Sequence, residues 1–216
     1  MIATSIRTRL IAAAALACAA AAPAFAGDFM VRARVLSLEP ANQSTEISAL
    51  SVPADAITVN SKYIWEIDAS YFVTENVALE LIATTPQKQT ISLAGTKIGT
   101  LRHLPPTLTA QWHFAPANPV VRPYVGFGVN YTHFSAVNLD AGPVLGSSTP
   151  LDIKRHSWGT AIQIGADFPI TKQLSFNVDF KKIDIRTDVK VKATGEYLST
   201  VKVDPILFGV GIGYRF

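Results

Sequence analysis

Nine ionisable side chains of this chain sit at alternate positions inside otherwise apolar stretches: Arg32, Arg34, Glu66, Asp68, Glu80, Asp167, Asp179, Lys181 and Arg215. Residues two apart on an extended strand share a face, so Arg32 points with Arg34 and Glu66 with Asp68. Charges gathered in a dry space must pair with one another, and guanidinium forks meet carboxylates with two aligned hydrogen bonds. The chemistry this pattern points to is charge pairing. Nucleophilic chemistry has thinner support. The imidazoles are His103, His113, His133 and His156, and the first and last lie toward loops near Asp152 and Ser157, the residue types of a hydrolytic triad. Neither Gly-x-Ser-x-Gly nor His-Glu-x-x-His occurs. The expectation is a protein that is not an enzyme, with no cofactor and no metal centre.

The elements that must position these charges repeat every two residues. Eight segments alternate, at 29–36, 62–71, 77–84, 104–114, 122–132, 157–168, 174–181 and 206–216. The last is the most informative. Ile206, Phe208, Val210, Ile212, Tyr214 and Phe216 form one face, and Leu207, Gly209, Gly211, Gly213 and Arg215 the other. Glycine weakens a strand and covers nothing, so a glycine face suits a crowded barrel interior better than a watery surface. The greasy face then looks at lipid. Tyr63, Tyr71, Trp112, Phe114, Tyr131, Trp158, Phe168 and Tyr214 stand near segment ends on that face, as aromatic girdles do at the two membrane boundaries. Short connections at 73–76, 115–121 and 169–173 alternate with long ones. The predicted fold is an all-β, eight-stranded antiparallel transmembrane β-barrel with short periplasmic turns and long extracellular loops. Closure is required, because an open sheet edge in hydrocarbon leaves a row of backbone groups unpaired.

The N-terminus predicts export. Arg7 and Arg9 precede the apolar run 10–22, which is followed by Pro23 and Ala24-Phe25-Ala26. That run is too short to span a bilayer and reads as a cleaved signal peptide over 1–26, leaving the barrel at 27–216. Cys18 would leave with it, so no disulfide or thiol chemistry is expected. Removing Arg7 and Arg9 takes the 19 basic residues to 17, against 16 acidic ones. A net charge near +1 gives no support for nucleic-acid binding.

Ordered short stretches also carry a resemblance. His103-Leu104-Pro105-Pro106-Thr107-Leu108, Gln111-Trp112-His113-Phe114, Arg122-Pro123-Tyr124-Val125-Gly126, Gly128-Val129-Asn130-Tyr131-Thr132, Ser157-Trp158-Gly159, Val203-Asp204-Pro205 and Gly213-Tyr214-Arg215-Phe216 resemble the outer membrane protein W family along the whole mature chain. The resemblance implies a narrow barrel in the bacterial outer membrane that passes small hydrophobic molecules. It also implies that Ile82 lies where the family's channel is narrowed by an aliphatic side chain. Lys181 stands where an aromatic partner is expected, a departure that puts a hydrophobic gate at that level in doubt. A lysine there either snorkels upward or neutralises Asp179 or Glu80.

An eight-stranded barrel holds little more than its own side chains or one small ligand. Arg32, Arg34, Glu66, Asp68, Glu80, Asp179 and Lys181 are expected to form a charge-paired layer that fills the lower lumen. Ile64, Ile82 and Ile183, with Ile185 above, are expected to form an apolar constriction nearer the outside, fed by a funnel. The solute would then leave sideways. The greasy stretches 47–59 and 91–101 are expected to be strands that extend above the membrane and pack together. The expected partners are outer-membrane lipid and lipopolysaccharide, a small hydrophobic solute, and the barrel assembly machinery through the C-terminal strand. The rival is a plugged structural, adhesive or receptor barrel, with Lys190, Lys192 and Lys202 touching lipopolysaccharide phosphates.

Overall fold

The computed structural model describes residues 29–48 and 52–216. The predicted signal peptide and Cys18 lie outside them. The chain runs β1 (Phe29–Glu39), β2 (Gln43–Ser44), β3 (Ile57–Val59), β4 (Lys62–Phe72), β5 (Val77–Thr84), β6 (Gln87–Leu93), β7 (Thr96–Leu104) and β8 (Thr107–His113). It continues as β9 (Arg122–Asp140), the short helix α1 (Gly142–Leu145), β10 (Pro150–Ile153), β11 (His156–Pro169), β12 (Leu174–Ile183), β13 (Arg186–Val191), β14 (Tyr197–Lys202) and β15 (Ile206–Arg215).

Eight of these strands close on themselves. The order β1, β4, β5, β8, β9, β11, β12, β15 returns to β1, and every pairing is antiparallel. From the periplasmic end up to Glu66 of β4 no backbone edge is left along the wall, which is what hydrocarbon demands. Side-chain direction settles which face is which. Trp65, Phe127 and Ile164 are 68%, 62% and 58% exposed on the outside, whereas Arg34, Asp68 and Lys181 are 0% exposed within. This reverses the pattern of a soluble barrel and identifies the exterior as the lipid face. The 73–76 and 170–173 connections are tight turns, closed by Val73 and Thr74 N–H groups donating to Val77 O and by Ile170 and Thr171 donating to Leu174 O.

Above the wall the long connections are built of strands. β3 pairs with β6, β6 with β7, and β7 with the upper part of β9, while β10, β13, β14 and β2 continue the sheet. Their inner faces bury Ile47, Ile57, Val59, Ile91, Leu93 and Leu101 in one cluster with Leu36, Ile64, Ile183 and Leu207 of the barrel wall. Ile57–Val59 therefore pairs with Ile91–Leu93, and Ile47 and Val52 join the same cluster.

Two local expectations need correction. The segment 104–114 is not one strand: Pro105 and Pro106 donate no N–H, so the chain breaks there into β7 and β8. β9 runs past Thr132 to Asp140, through a register shift opposite Thr100–Arg102 and a left-handed residue at Ala136 (φ 48°). Such a bulge changes the phase of alternation, which ends the sequence signal early. Gly165 makes room for Tyr124 and Gly126 for Gln163, whereas Gly128 and Gly159 let backbone approach, from Leu108 and Asp184 respectively.

Candidate functional site

The inward residues of β1 read Arg32, Arg34, Leu36, Leu38 from the periplasmic end outward, and this order divides the lumen into two storeys. The lower storey is an ion-paired floor. Arg32 grips Asp167 with both prongs, Nε to Oδ1 at 3.1 Å and Nη2 to Oδ2 at 2.8 Å, and donates through Nη1 to Ser70 at 2.8 Å. Arg34 donates to Asn177 Oδ1 at 2.6 Å, Glu66 Oε1 at 2.9 Å and Tyr124 Oη at 3.2 Å. Glu80 reaches both guanidinium groups at 3.4–3.5 Å and accepts from Thr109 at 3.1 Å. Asp68 lies 2.7 Å from Arg34 and 3.5 Å from Arg32 with no aligned hydrogen bond to either.

Lys181 resolves the choice left open by its position. Its Nζ sits 2.6 Å from Glu66 and 2.7 Å from Asp179, fully buried, so it neutralises carboxylates and does not snorkel. Glu66 takes the place expected of Glu80. Tyr124 and Asn177 knit the layer together. Tyr124 donates to Asp179 at 2.8 Å, and Asn177 donates to Tyr124 at 3.1 Å and to Asp167 at 2.8 Å. Gln163 adds a bond to Asp179 at 2.7 Å. The seven predicted charges thus meet in one network, with Asp167, Tyr124, Asn177 and Ser70 as members the site prediction omitted. Their parity was legible, since all four alternate with lipid-facing residues. Their partners lie across the lumen and leave no local signal. Arg215 is at the lower rim, its guanidinium 4.0 Å from the Phe72 ring centre.

The upper storey is apolar. Leu36, Leu38, Ile64, Ile183, Ile185 and Leu207 line it and continue into Leu101, Phe134, Leu139, Ile153, Val189 and Val201 above. Ile64 and Ile183 belong to this cluster. Ile82 does not: it is buried between Asp68 and Thr107 in the strand register, at the top of the charged floor. Higher up, a cavity of about 40 Å³ opens among Ile91, Leu101, Phe134, Ile153 and Ile185, with Gln89 and His103 at its wall. His103 is buried against Phe134, and burial pushes its imidazole down to about 4, helped by Lys62.

The wall has one conspicuous break. β4 and β5 pair only up to Glu66 and Thr84, and beyond that β5 turns away toward β6. Lys62, Tyr63, Ile64 and Trp65 are paired with β1 alone, and Asn60 bridges to Thr90 at the top of the gap. Lys62 Nζ donates to Lys88 O at 3.3 Å across it, and Ile64 is buried behind it.

No triad forms from the histidines considered. His156 bonds Tyr131 at 2.6 Å on the outer surface, Ser157 Oγ accepts from Arg186 N–H, and Asp152 pairs with Arg155.

The OmpW family model matches residues 25–216. Outer membrane protein W of Vibrio cholerae is 33% identical over 213 residues, covering 94% of this chain and 96% of that one. The dibenzothiophene metabolism operon protein PahQ of Pseudomonas aeruginosa is 25% identical over 181 residues, covering 82% of each. The crystal structure of outer membrane protein OprG from Pseudomonas aeruginosa superposes with a TM-score of 0.75 at 28% identity, over 88% of this chain and 96% of that one. A closed eight-stranded wall with its greasy face outward, matched to these relatives over most of its length, places the chain in the outer membrane as a member of the OmpW family.

Proposed function

We propose that the protein admits small hydrophobic molecules from outside the cell into the apolar upper storey and releases them sideways into the membrane through the gap between β4 and β5. The division of the lumen carries this proposal. Leu36, Ile64, Ile183 and Leu207 offer an apolar solute a dry wall, while the floor of Arg32, Arg34, Glu66, Asp68, Glu80, Asp179 and Lys181 blocks passage straight down. An apolar molecule gains roughly 25 cal/mol for each Å² it removes from water, and it gives that up again on a charged surface. Hydrocarbon beside Trp65 is the better destination. The operon named for PahQ concerns an aromatic sulfur heterocycle, a solute class that agrees with such a pathway.

Ile82 is the constriction residue to test, because it caps the floor where the apolar storey begins. We further propose that β15, whose two neighbours β1 and β12 close the wall, is the segment offered to the barrel assembly machinery, and that Lys190, Lys192 and Lys202 contact lipopolysaccharide phosphates. The decisive experiment pairs two measurements. Initial uptake of labelled octane by Gram-negative cells expressing the chain is compared with vector-only cells, and single-channel conductance is recorded in planar bilayers. Faster uptake without steady conductance is expected. Conductance of the open-pore kind, or uptake equal to vector, would leave the plugged structural barrel or an aqueous pore instead.

A further inference from the structure

Gln89, on β6, is 1% exposed, and both its Oε1 and its Nε2 have no hydrogen-bond partner among the described residues. A buried carboxamide left dry is costly, and native interiors seldom tolerate one without a partner. This carboxamide faces the cavity bounded by Ile91, Leu101, Phe134, Ile153 and Ile185. Of the other polar groups at that wall, Thr187 Oγ1 donates to Lys154 O at 2.9 Å, and the His103 ring lies 6.4 Å from the Phe134 ring. Gln89 therefore presents one free acceptor and one free amide group to an otherwise apolar space. The cavity, about 40 Å³, has room for water at that amide.

Taking the upper storey as the solute's way in, we propose that Gln89 is a polar anchor that selects apolar molecules carrying one hydrogen-bonding oxygen, such as straight-chain alcohols and ketones, over the bare hydrocarbon. A hydrocarbon that displaces water from Gln89 strands the amide, because it offers nothing in return. An alcohol replaces the water with its own hydroxyl, donating to Oε1 or accepting from Nε2, while Ile91, Leu101 and Ile185 part to take its chain, which exceeds the cavity of about 40 Å³. Sites holding a free polar group discriminate against ligands that leave it unpaired more strongly than apolar walls discriminate by size. The amide serves as a filter in the path and catalyses nothing.

The test compares initial uptake of labelled 1-octanol and octane by cells expressing the full chain, each corrected for vector-only cells. Three forms are used: the natural sequence, Gln89→Met and Ile82→Arg. Methionine keeps the volume and removes the amide, so folding is retained, checked by heat-modifiable mobility on gels. The octanol-to-octane ratio is expected to fall about three- to tenfold in Gln89→Met, the range one hydrogen bond supports, with octane uptake steady or higher. An unchanged ratio, with Ile82→Arg slowing both solutes, overturns the anchor and leaves the pathway standing. An unchanged ratio with neither solute slowed by Ile82→Arg overturns the pathway and the anchor together. Gln89→Glu provides a second variant: a carboxylate at this position should slow both solutes, and equal rates would also count against a site at Gln89.

Discussion

Replacing Arg34 by methionine tests whether the floor is held by its charges or merely filled by bulky side chains. Arg34 contacts Glu66 at 2.9 Å, Asp68 at 2.7 Å, Asn177 at 2.6 Å and Tyr124 at 3.2 Å, all in the fully buried layer. Methionine preserves much of the volume, so a packing-only floor would lose about 1 kcal/mol. A charged floor loses far more. The layer holds three cations, Arg32, Arg34 and Lys181, against five carboxylates, Glu66, Asp68, Glu80, Asp167 and Asp179. Without Arg34, Asp68 keeps only the 3.5 Å contact with Arg32. Breaking a buried pair from one side costs about 3–5 kcal/mol. The assay is urea unfolding in lipid vesicles, followed by gel mobility and tryptophan emission. The double variant Arg34→Met with Asp68→Asn should recover more than about 1 kcal/mol, since contacting residues couple on that scale. Conductance should rise in the single variant as water enters. A loss below about 1 kcal/mol with unchanged conductance would refute a charge-held floor.

Ile82→Arg should fold, because the surplus carboxylates below give its guanidinium a partner, and it should slow octane uptake by about tenfold, the effect of a charge in an apolar passage; unchanged uptake would count against Ile82 as a constriction. Stability should fall on acidification through His103. Its folded value is about 4, against an unfolded value near 6.5, so between those limits the unfolded chain binds the extra proton. The contribution is complete above about pH 6.5 and shrinks by up to about 3 kcal/mol as pH falls toward 4. Urea midpoints at pH 7.5 and 5 should differ less in His103→Leu than in the natural sequence; equal differences would exclude His103. Gly165→Leu should cost about 1–3 kcal/mol, because a side chain there overlaps the Tyr124 ring. An unshifted urea midpoint would show that Tyr124 can move aside.

Membrane-wall strands were legible because lipid imposes one rule on every outward position. The segment 77–84 coincides with β5, and the parity of Arg32, Glu66 and Asp179 placed each inside. Above the membrane that rule lapses. Strands such as β6 and β7 face an apolar cluster on one side and water on the other over few residues, and the bulge at Ala136 shifts the phase of β9. Gln89 shows another limit. Parity with Ile91 and Leu93 gives its inward direction, but only the assembled cavity reveals that its amide lacks a partner. Lys181 illustrates the same: its inward direction was readable, but the choice of Glu66 over Glu80 depended on distances across the lumen.

β9 has a consequence in height. Its 19 residues, at roughly 3.3 Å each, reach roughly 60 Å along the strand, or roughly 45 Å vertically at the usual barrel tilt. An outer-membrane barrel's apolar band is only about 25 Å tall, so this strand and the hairpins leaning on it stand roughly 20 Å into the sugar layer outside. Oligosaccharide is the zone that an oily molecule crosses worst. On the proposed pathway, a mouth raised to that level would let the solute bypass the carbohydrate and start its descent already shielded from it.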